Sequence, residues 1–200
     1  MVARRPAIAN SAVATGRGDD GTTGLLYGGR INKDDPRTEA YGTVDEAVAA
    51  LGVARVELRL AELSDLAESV LRWQRELFVV GADLATNPDA RERLEDGVTR
   101  VDEGMLSGVE TELERWETHL QMPREFIVPG ETRASAALEV ARGVLRRAER
   151  RVIALDRALE LGSGWVVPYI NRLADLIWVL ARVAEQAENA APTPARLPQA

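Results

Sequence analysis

Two stretches of this chain hold the residue types that can grip a polyphosphate. Thr15 to Gly24 reads T-G-R-G-D-D-G-T-T-G, which offers free backbone N–H groups and small hydroxyls with little side-chain bulk. Farther along, Arg142, Arg146, Arg147, Glu149, Arg150 and Arg151 fall at helical spacing, and guanidinium groups bind phosphate oxygens through paired hydrogen bonds. Lys33 is the single lysine of the chain and follows the glycine run by nine residues. Every other fixed cation is an arginine.

Each stretch also has a plainer reading. Gly16, Gly18 and Gly21 spell G-x-G-x-x-G, but that string marks a dinucleotide fold only after a strand and at the start of a helix. Here Asn10 to Ala14 precede it and Gly28-Gly29 follow, so that context is missing. The G-x-x-x-x-G-K-[ST] loop of the P-loop proteins is absent. A flexible linker remains the alternative, and Thr15, Thr22, Thr23 and Lys33 argue for phosphate chemistry over a spacer. On the arginine stretch, i, i+4 spacing puts Arg142, Arg146 and Glu149 or Arg150 on one face, with Arg147 and Arg151 on an adjacent stripe. A solvated face, paired to Glu139 and Glu149, is the alternative. Five arginines in ten residues with few acids among them weigh against it. Asn171, Asp175 and Trp178 share a face of a later helix, beside a ligand or merely pairing with arginines. Asp45 and Glu46 could meet the arginine helix or lie on an ordinary surface; spacing does not decide.

These groups need a scaffold, and the composition points to helices. Apolar residues make up 46% of 200 and aromatics only 4%, so Ala, Val and Leu must fill the core of one domain. The net charge of −7 with pI near 5.0 disfavours nucleic acid as the main partner. Without cysteine and with His119 alone, thiolate and multi-histidine metal sites and a histidine-based catalytic triad elsewhere are excluded, and no metal ligands are assigned. No apolar run reaches the roughly 18–20 residues of a membrane span, and no apolar leader follows Arg4 and Arg5. The expected location is cytoplasmic.

The periodicity predicts five helices. Val44, Ala47, Val48, Leu51, Ala54 and Leu58 mark the first, with Pro36 near its start. The second runs from about Ser64 to Ala85, where Asn87-Pro88 ends it, and residues 87–97 read as a loop. Val101, Met105, Val109, Trp116 and Leu120 mark the third. The fourth covers about Thr132 to Ala158, with Leu138, Ala141, Leu145, Ala148, Val152 and Leu155 inward. Leu161 to Gly164 break the chain before the fifth, about Val166 to Ala187. The expectation is an all-α, up-and-down five-helix bundle with an ordered glycine-rich loop. Residues 1–14 form a flexible arm, 15–186 the folded domain and 187–200 a disordered Pro/Ala tail.

Five blocks occur in order: T-G-R-G-D-D-G-T-T-G-L-L-Y-G-G-R-I-N-K-D-D-P-R, E-A-Y-G-T-V-D-E, F-I-V-P-G, V-A-R-G-V-L-R-R-A-E-R-R-V and N-R-L-A-D. Together, over about residues 15–185, they resemble the trimeric ATP:cob(I)alamin adenosyltransferases of the propanediol-utilisation type. The resemblance implies a five-helix bundle and transfer of the 5′-deoxyadenosyl group of ATP to cob(I)alamin, giving adenosylcobalamin and triphosphate. It implies ATP with Mg²⁺, and cobalamin as substrate, with cob(II)alamin reduced to cob(I)alamin. It assigns Thr15, Gly16, Arg17, Gly18, Thr23, Gly24, Lys33, Arg146, Arg147, Glu149, Arg150 and Asn171 to the nucleotide. Arg146 becomes the stabiliser of the leaving group and Phe126 the aromatic beneath the corrin, thought to displace the lower ligand and ease reduction. Asp45 and Arg142 become a salt bridge between neighbouring subunits of a homotrimer. A flavin-dependent reductase and an adenosylcobalamin-dependent acceptor enzyme are the implied partners, without nucleic acid or membrane. Glu131 departs from the family pattern, where many members have a second glycine, and the 159–167 connection is about one residue longer than in some relatives. A binding module that no longer turns over, and an inert helical trimer, remain alternatives at this point.

Overall fold

The computed structural model describes residues 11–159 and 164–196. Most of the N-terminal arm, the end of the tail and Leu161 to Ser163 of the expected helix break lie outside the described residues. Five α-helices are present: α1 (Pro36–Leu60), α2 (Ser64–Ala85), α3 (Glu103–Glu117), α4 (Arg133–Leu159) and α5 (Val166–Ala187). They pack through the contacts α1–α2, α1–α4, α4–α5 and α3–α5, so the expected all-α bundle is the observed one.

The α1–α4 contact explains how so few aromatics build a core. Ala40, Ala47 and Ala54 on α1 and Ala134, Ala141 and Ala148 on α4 recur every seven residues, and all are buried. Between them, Val44, Leu51 and Leu58 alternate against Leu138, Leu145 and Val152, all buried as well. A seven-residue repeat of small and large positions is the pattern of left-handed, knobs-into-holes packing, and alanine lets the two axes come close. Three ion pairs bridge the two helices: Glu57 with Arg133 at 2.9 Å, Glu46 with Arg147, and Glu39 with Arg151 at 3.1 Å. Rising numbers on α1 meet falling numbers on α4, so the helices are antiparallel. The arginines of these pairs are exposed, so the pairs contribute little stability. The buried alanine and leucine rows carry that.

The helix ends follow from local chemistry. Asp35 accepts the Arg37 N–H at 2.8 Å with Pro36 at the first helical position, and Asp102 accepts the Met105 N–H at 2.8 Å. The stretch expected as a loop at 87–97 contains a short 3-10 helix, Pro88–Arg93. Asn87 stops α2, yet its side chain also accepts the Asp89 N–H at 3.1 Å, so one signal ends a helix and caps the next. The third helix is shorter than its apolar pattern, because Val101 precedes its cap and Leu120 follows its end.

Among the described residues four short strands accompany the helices. β1 (Thr22–Gly24) and β2 (Arg30–Asn32) form an antiparallel hairpin inside the glycine-rich region. β3 (Ile127–Val128) pairs with β4 (Thr193–Pro194). Thr193–Pro194, within a segment expected from composition to lack structure, is therefore seated at this point, and the Ala195 N–H donates to the Phe126 carbonyl at 2.7 Å. No helix among the described residues is long and apolar enough to cross a membrane.

Candidate active site

The glycine-rich stretch folds into two successive turns and then the hairpin. Asp19 N–H reaches Gly16 O at 3.3 Å and Gly21 N–H reaches Gly18 O at 3.2 Å. Gly16 (φ 65°) and Gly21 (φ 83°) take left-handed backbone that a side chain would strain. Arg30, to which sequence reasoning gave no role, ties the stretch together. Its guanidinium donates to Thr22 Oγ1 at 2.9 Å and to the Arg17 carbonyl at 2.7 Å, and sits 3.6 Å from Asp20. The hairpin is fixed to the end of α2: Leu26 N–H donates to Ala85 O at 2.9 Å, and Asn87 N–H to Leu26 O at 3.0 Å. Arg37, buried beneath, donates to Leu84 O at 2.8 Å, and burial lowers its pKa, with Arg91 adding to the effect. It closes carbonyls that the end of α2 leaves open.

Lys33 returns to the glycines. Its N–H donates to Gly21 O at 2.9 Å, and a Cβ added to Gly18 would lie 2.9 Å from its Nζ. The ammonium therefore occupies the space that a side chain at position 18 would fill. Thr15, Gly16, Arg17, Gly18, Thr23, Gly24 and Lys33 are thus brought together, in a loop rich in amides with a cation folded over it. Gly18→Ala should lower the melting temperature only slightly, since the Lys33 side chain can move aside and the Thr22 carbonyl, 3.3 Å from the added Cβ, must give by only a few tenths of an ångström. On the expectation that this loop holds ATP, the substitution should weaken ATP binding by about tenfold, the scale of losing one charge-assisted hydrogen bond. Unchanged ATP affinity by calorimetry would show that the placement of Lys33 is immaterial.

On α4 the arginines divide into two sets. Arg147 and Arg151 face α1 and are taken up by Glu46 and Glu39. Arg142, Arg146 and Arg150 follow the other face toward α5. There Glu149 accepts from Asn171 Nδ2 at 2.9 Å, Arg150 donates to the Arg146 carbonyl at 2.9 Å, and Arg142 pairs with Glu139 at 2.7 Å. Asp175 pairs with Arg172 at 2.9 Å. Among the described residues the exposed Arg146 guanidinium has no partner. Arg146, Glu149, Arg150 and Asn171 therefore form one cluster, and Arg147 stands apart from it.

The remaining residues lie elsewhere. Asp45 lines a groove of about 400 Å³ between α1 and α2, with Leu26, Tyr41, Val48, Phe78 and Gly81. Phe78 is 65% exposed there. Within one protomer Asp45 and Arg142 do not pair; they lie on different faces of the bundle. Phe126 is 87% exposed and precedes the N-terminal end of α4. Arg133 and Arg146 are about 20 Å apart along that helix at 1.5 Å per residue. No hydrogen bond or ion pair among the described residues joins the glycine hairpin to the Arg146 cluster. Among the described residues, no group of three or more His, Asp or Glu side chains could hold a metal ion.

The sequence profile described as cobalamin adenosyltransferase matches residues 13–184. The chain belongs to that family. The corrinoid adenosyltransferase of Citrobacter freundii is 42% identical over 173 residues, covering 86% of this chain and 94% of the relative. That of Bacillus subtilis (strain 168) is 38% identical over 170 residues, 84% of each chain. A PduO-type ATP:corrinoid adenosyltransferase from Lactobacillus reuteri, solved as a phenylalanine-to-alanine variant complexed with cobalamin and ATP, superposes with a TM-score of 0.79. It is 30% identical and covers 92% of this chain and 98% of that one. Membership extends across both the glycine hairpin and the Arg146 cluster, so family-level chemistry applies to the domain as a whole.

Proposed function

We propose that this protein is a corrinoid adenosyltransferase. The reduced cobalt of cob(I)alamin attacks the 5′ carbon of ATP, the carbon–oxygen bond to the triphosphate breaks, and adenosylcobalamin and inorganic triphosphate leave. The nucleophile belongs to the substrate, so the protein needs no activated serine or cysteine, and a chain without cysteine suits that. Its tasks are to hold the two substrates in line and to neutralise the charge that develops on the leaving group.

The observation that best supports this reading is the Lys33 ammonium folded over the glycine turns, a cradle whose donors suit phosphate oxygens. The amides of Thr15 to Gly18, the Thr23–Gly24 segment and Lys33 hold the phosphates. Arg146, unpaired among the described residues, meets the bridging oxygen as the bond breaks, while Glu149, Arg150 and Asn171 line the nucleotide. Mg²⁺ arrives with ATP and is coordinated through phosphate oxygens. Phe126 is assigned to the lower face of the corrin.

Hairpin and Arg146 act together across a subunit boundary. The α1–α2 face of one protomer, with its open apolar groove, contacts the α4–α5 face of the next, and Asp45 meets Arg142 there. Such a contact between unlike faces closes into a ring, here a homotrimer. Asp45→Asn should shift the trimer toward dissociation and lower specific activity in dilute solution by about fivefold. An unchanged oligomer with unchanged kinetics would remove the assignment. The wider setting of the reading is cytoplasmic, with a flavin-dependent reductase supplying cob(I)alamin and an adenosylcobalamin-dependent enzyme receiving the product.

The direct test mixes the protein with ATP, Mg²⁺ and chemically reduced cobalamin. The visible spectrum should shift to that of the cobalt–carbon product with one triphosphate released per turnover. Binding of both substrates without product would leave a carrier module instead.

A further inference from the structure

Four charged side chains alternate in sign from the interior of α5 to the outer face of α4. Arg182 Nη2 donates to Glu185 Oε1 at 2.8 Å and lies 3.4 Å from Glu139 Oε1; Glu139 Oε2 accepts from Arg142 Nε at 2.7 Å. The side chains of Arg182, Glu185 and Glu139 are 2%, 3% and 6% exposed, whereas that of Arg142 is 28% exposed. The row is buried at one end and open at Arg142.

Stability does not explain such a row. Well-packed apolar groups commonly replace buried ion pairs without loss. Here Arg182 also keeps Nε and Nη1 buried with no hydrogen-bond partner, though its guanidinium lies 5.5 Å over the Trp178 ring, and an unmet buried donor is a cost. What the row does achieve is direction. Arg142 is gripped through Nε, and among the described residues its two terminal nitrogens have no partner. A planar guanidinium held through Nε has its remaining N–H groups aimed. Glu139 is in turn held from behind by Arg182, so it cannot follow Arg142 into solvent.

We propose that Glu139 is a positioning residue: it fixes the Arg142 guanidinium so that its free edge meets Asp45 of the neighbouring protomer beside the active site. This rests on the subunit contact proposed above. Glu139 touches no substrate and acts through Arg142.

The test is a double-mutant cycle on the full-length protein, reading adenosylcobalamin formation as a function of enzyme concentration. Glu139→Gln alone should lower activity at dilute enzyme at least about fivefold, and in an Asp45→Asn background should change it by less than about twofold, because the contact it serves is already gone. KM for ATP at high enzyme concentration should stay near that of the parent. Equal fold losses in both backgrounds would overturn the proposal and leave Glu139 a purely structural residue. So would a parent-like Glu139→Gln in a protein that Asp45→Asn weakens. If Asp45→Asn and Arg142→Ala both leave assembly and activity unchanged, the subunit contact itself is wrong and the proposal falls with it, a result distinct from the other two. Should Glu139→Gln fail to fold, Glu139→Asp, which keeps the charge but withdraws it by one methylene, completes the same cycle with the same criteria.

Discussion

Arg146→Ala should lower adenosylcobalamin formation from ATP and cob(I)alamin by at least about tenfold, with ~100-fold the typical size for losing one donor to a developing oxyanion. Among the described residues no acid neutralises Arg146 or Arg150 of the α4–α5 face, and Arg150 is turned back to the Arg146 carbonyl at 2.9 Å, which leaves Arg146 as the guanidinium without a partner. It sits one turn from Glu149 and Asn171, which are held to each other at 2.9 Å. The triphosphate gains charge at the oxygen that leaves carbon, so a guanidinium there helps the transition state more than bound ATP. The loss should therefore fall mainly on kcat, with KM for ATP changed less. By contrast, Arg147 is already engaged by Glu46. Arg147→Ala should cost little in kcat. Normal turnover in Arg146→Ala, or equal losses in both variants, would refute the separation of the two arginine sets.

Phe126→Ala should separate binding from reduction. ATP affinity should stay within about twofold of the parent, because Phe126 is assigned to the corrin and to no atom of the nucleotide. Product formation from cob(II)alamin with a weak reductant should fall roughly 100-fold, the scale of loss when a reacting centre is no longer prepared. The ring is 87% exposed in the protomer, open for a ligand or a subunit to cover. Its backbone is fixed: the Ala195 N–H bonds its carbonyl at 2.7 Å, and Ile127–Val128 pair with Thr193–Pro194. Chemically produced cob(I)alamin should restore most of the activity of the variant. Full activity from cob(II)alamin would take Phe126 out of the reduction step.

The helices were legible because their apolar residues recur at a period that only a helix satisfies. The sequence bounds of α2 and α5 agree with the structure, since Asn87-Pro88 and the Pro/Ala-rich end are strong stops. The two arginine stripes were also readable from spacing alone, and Arg147 and Arg151 do face away from Arg146. The β1–β2 hairpin was not legible: two three-residue strands give no alternation to read, and glycine obscures what remains. Pairing of β3 with β4 joins residues more than sixty positions apart, which no local pattern encodes. Arg182 was passed over because a search for apolar period counts only the apolar positions around it, while its charge is met by Glu139 on another helix. The separation of Asp45 from Arg142 needed the topology, since only the order of helix contacts shows that they face different sides.

Whether the hairpin of one protomer and Arg146 of the next serve one triphosphate is tested by mixing impaired chains. Lys33→Ala and Arg146→Ala protomers, each strongly impaired alone, are co-expressed and purified as mixed assemblies. If each site takes its cradle from one protomer and its arginine from the neighbour, random mixing leaves about a quarter of sites with both groups intact, and activity should return to about that fraction of the parent. Mixed assemblies as impaired as the two single variants would place both groups in one chain and contradict the account.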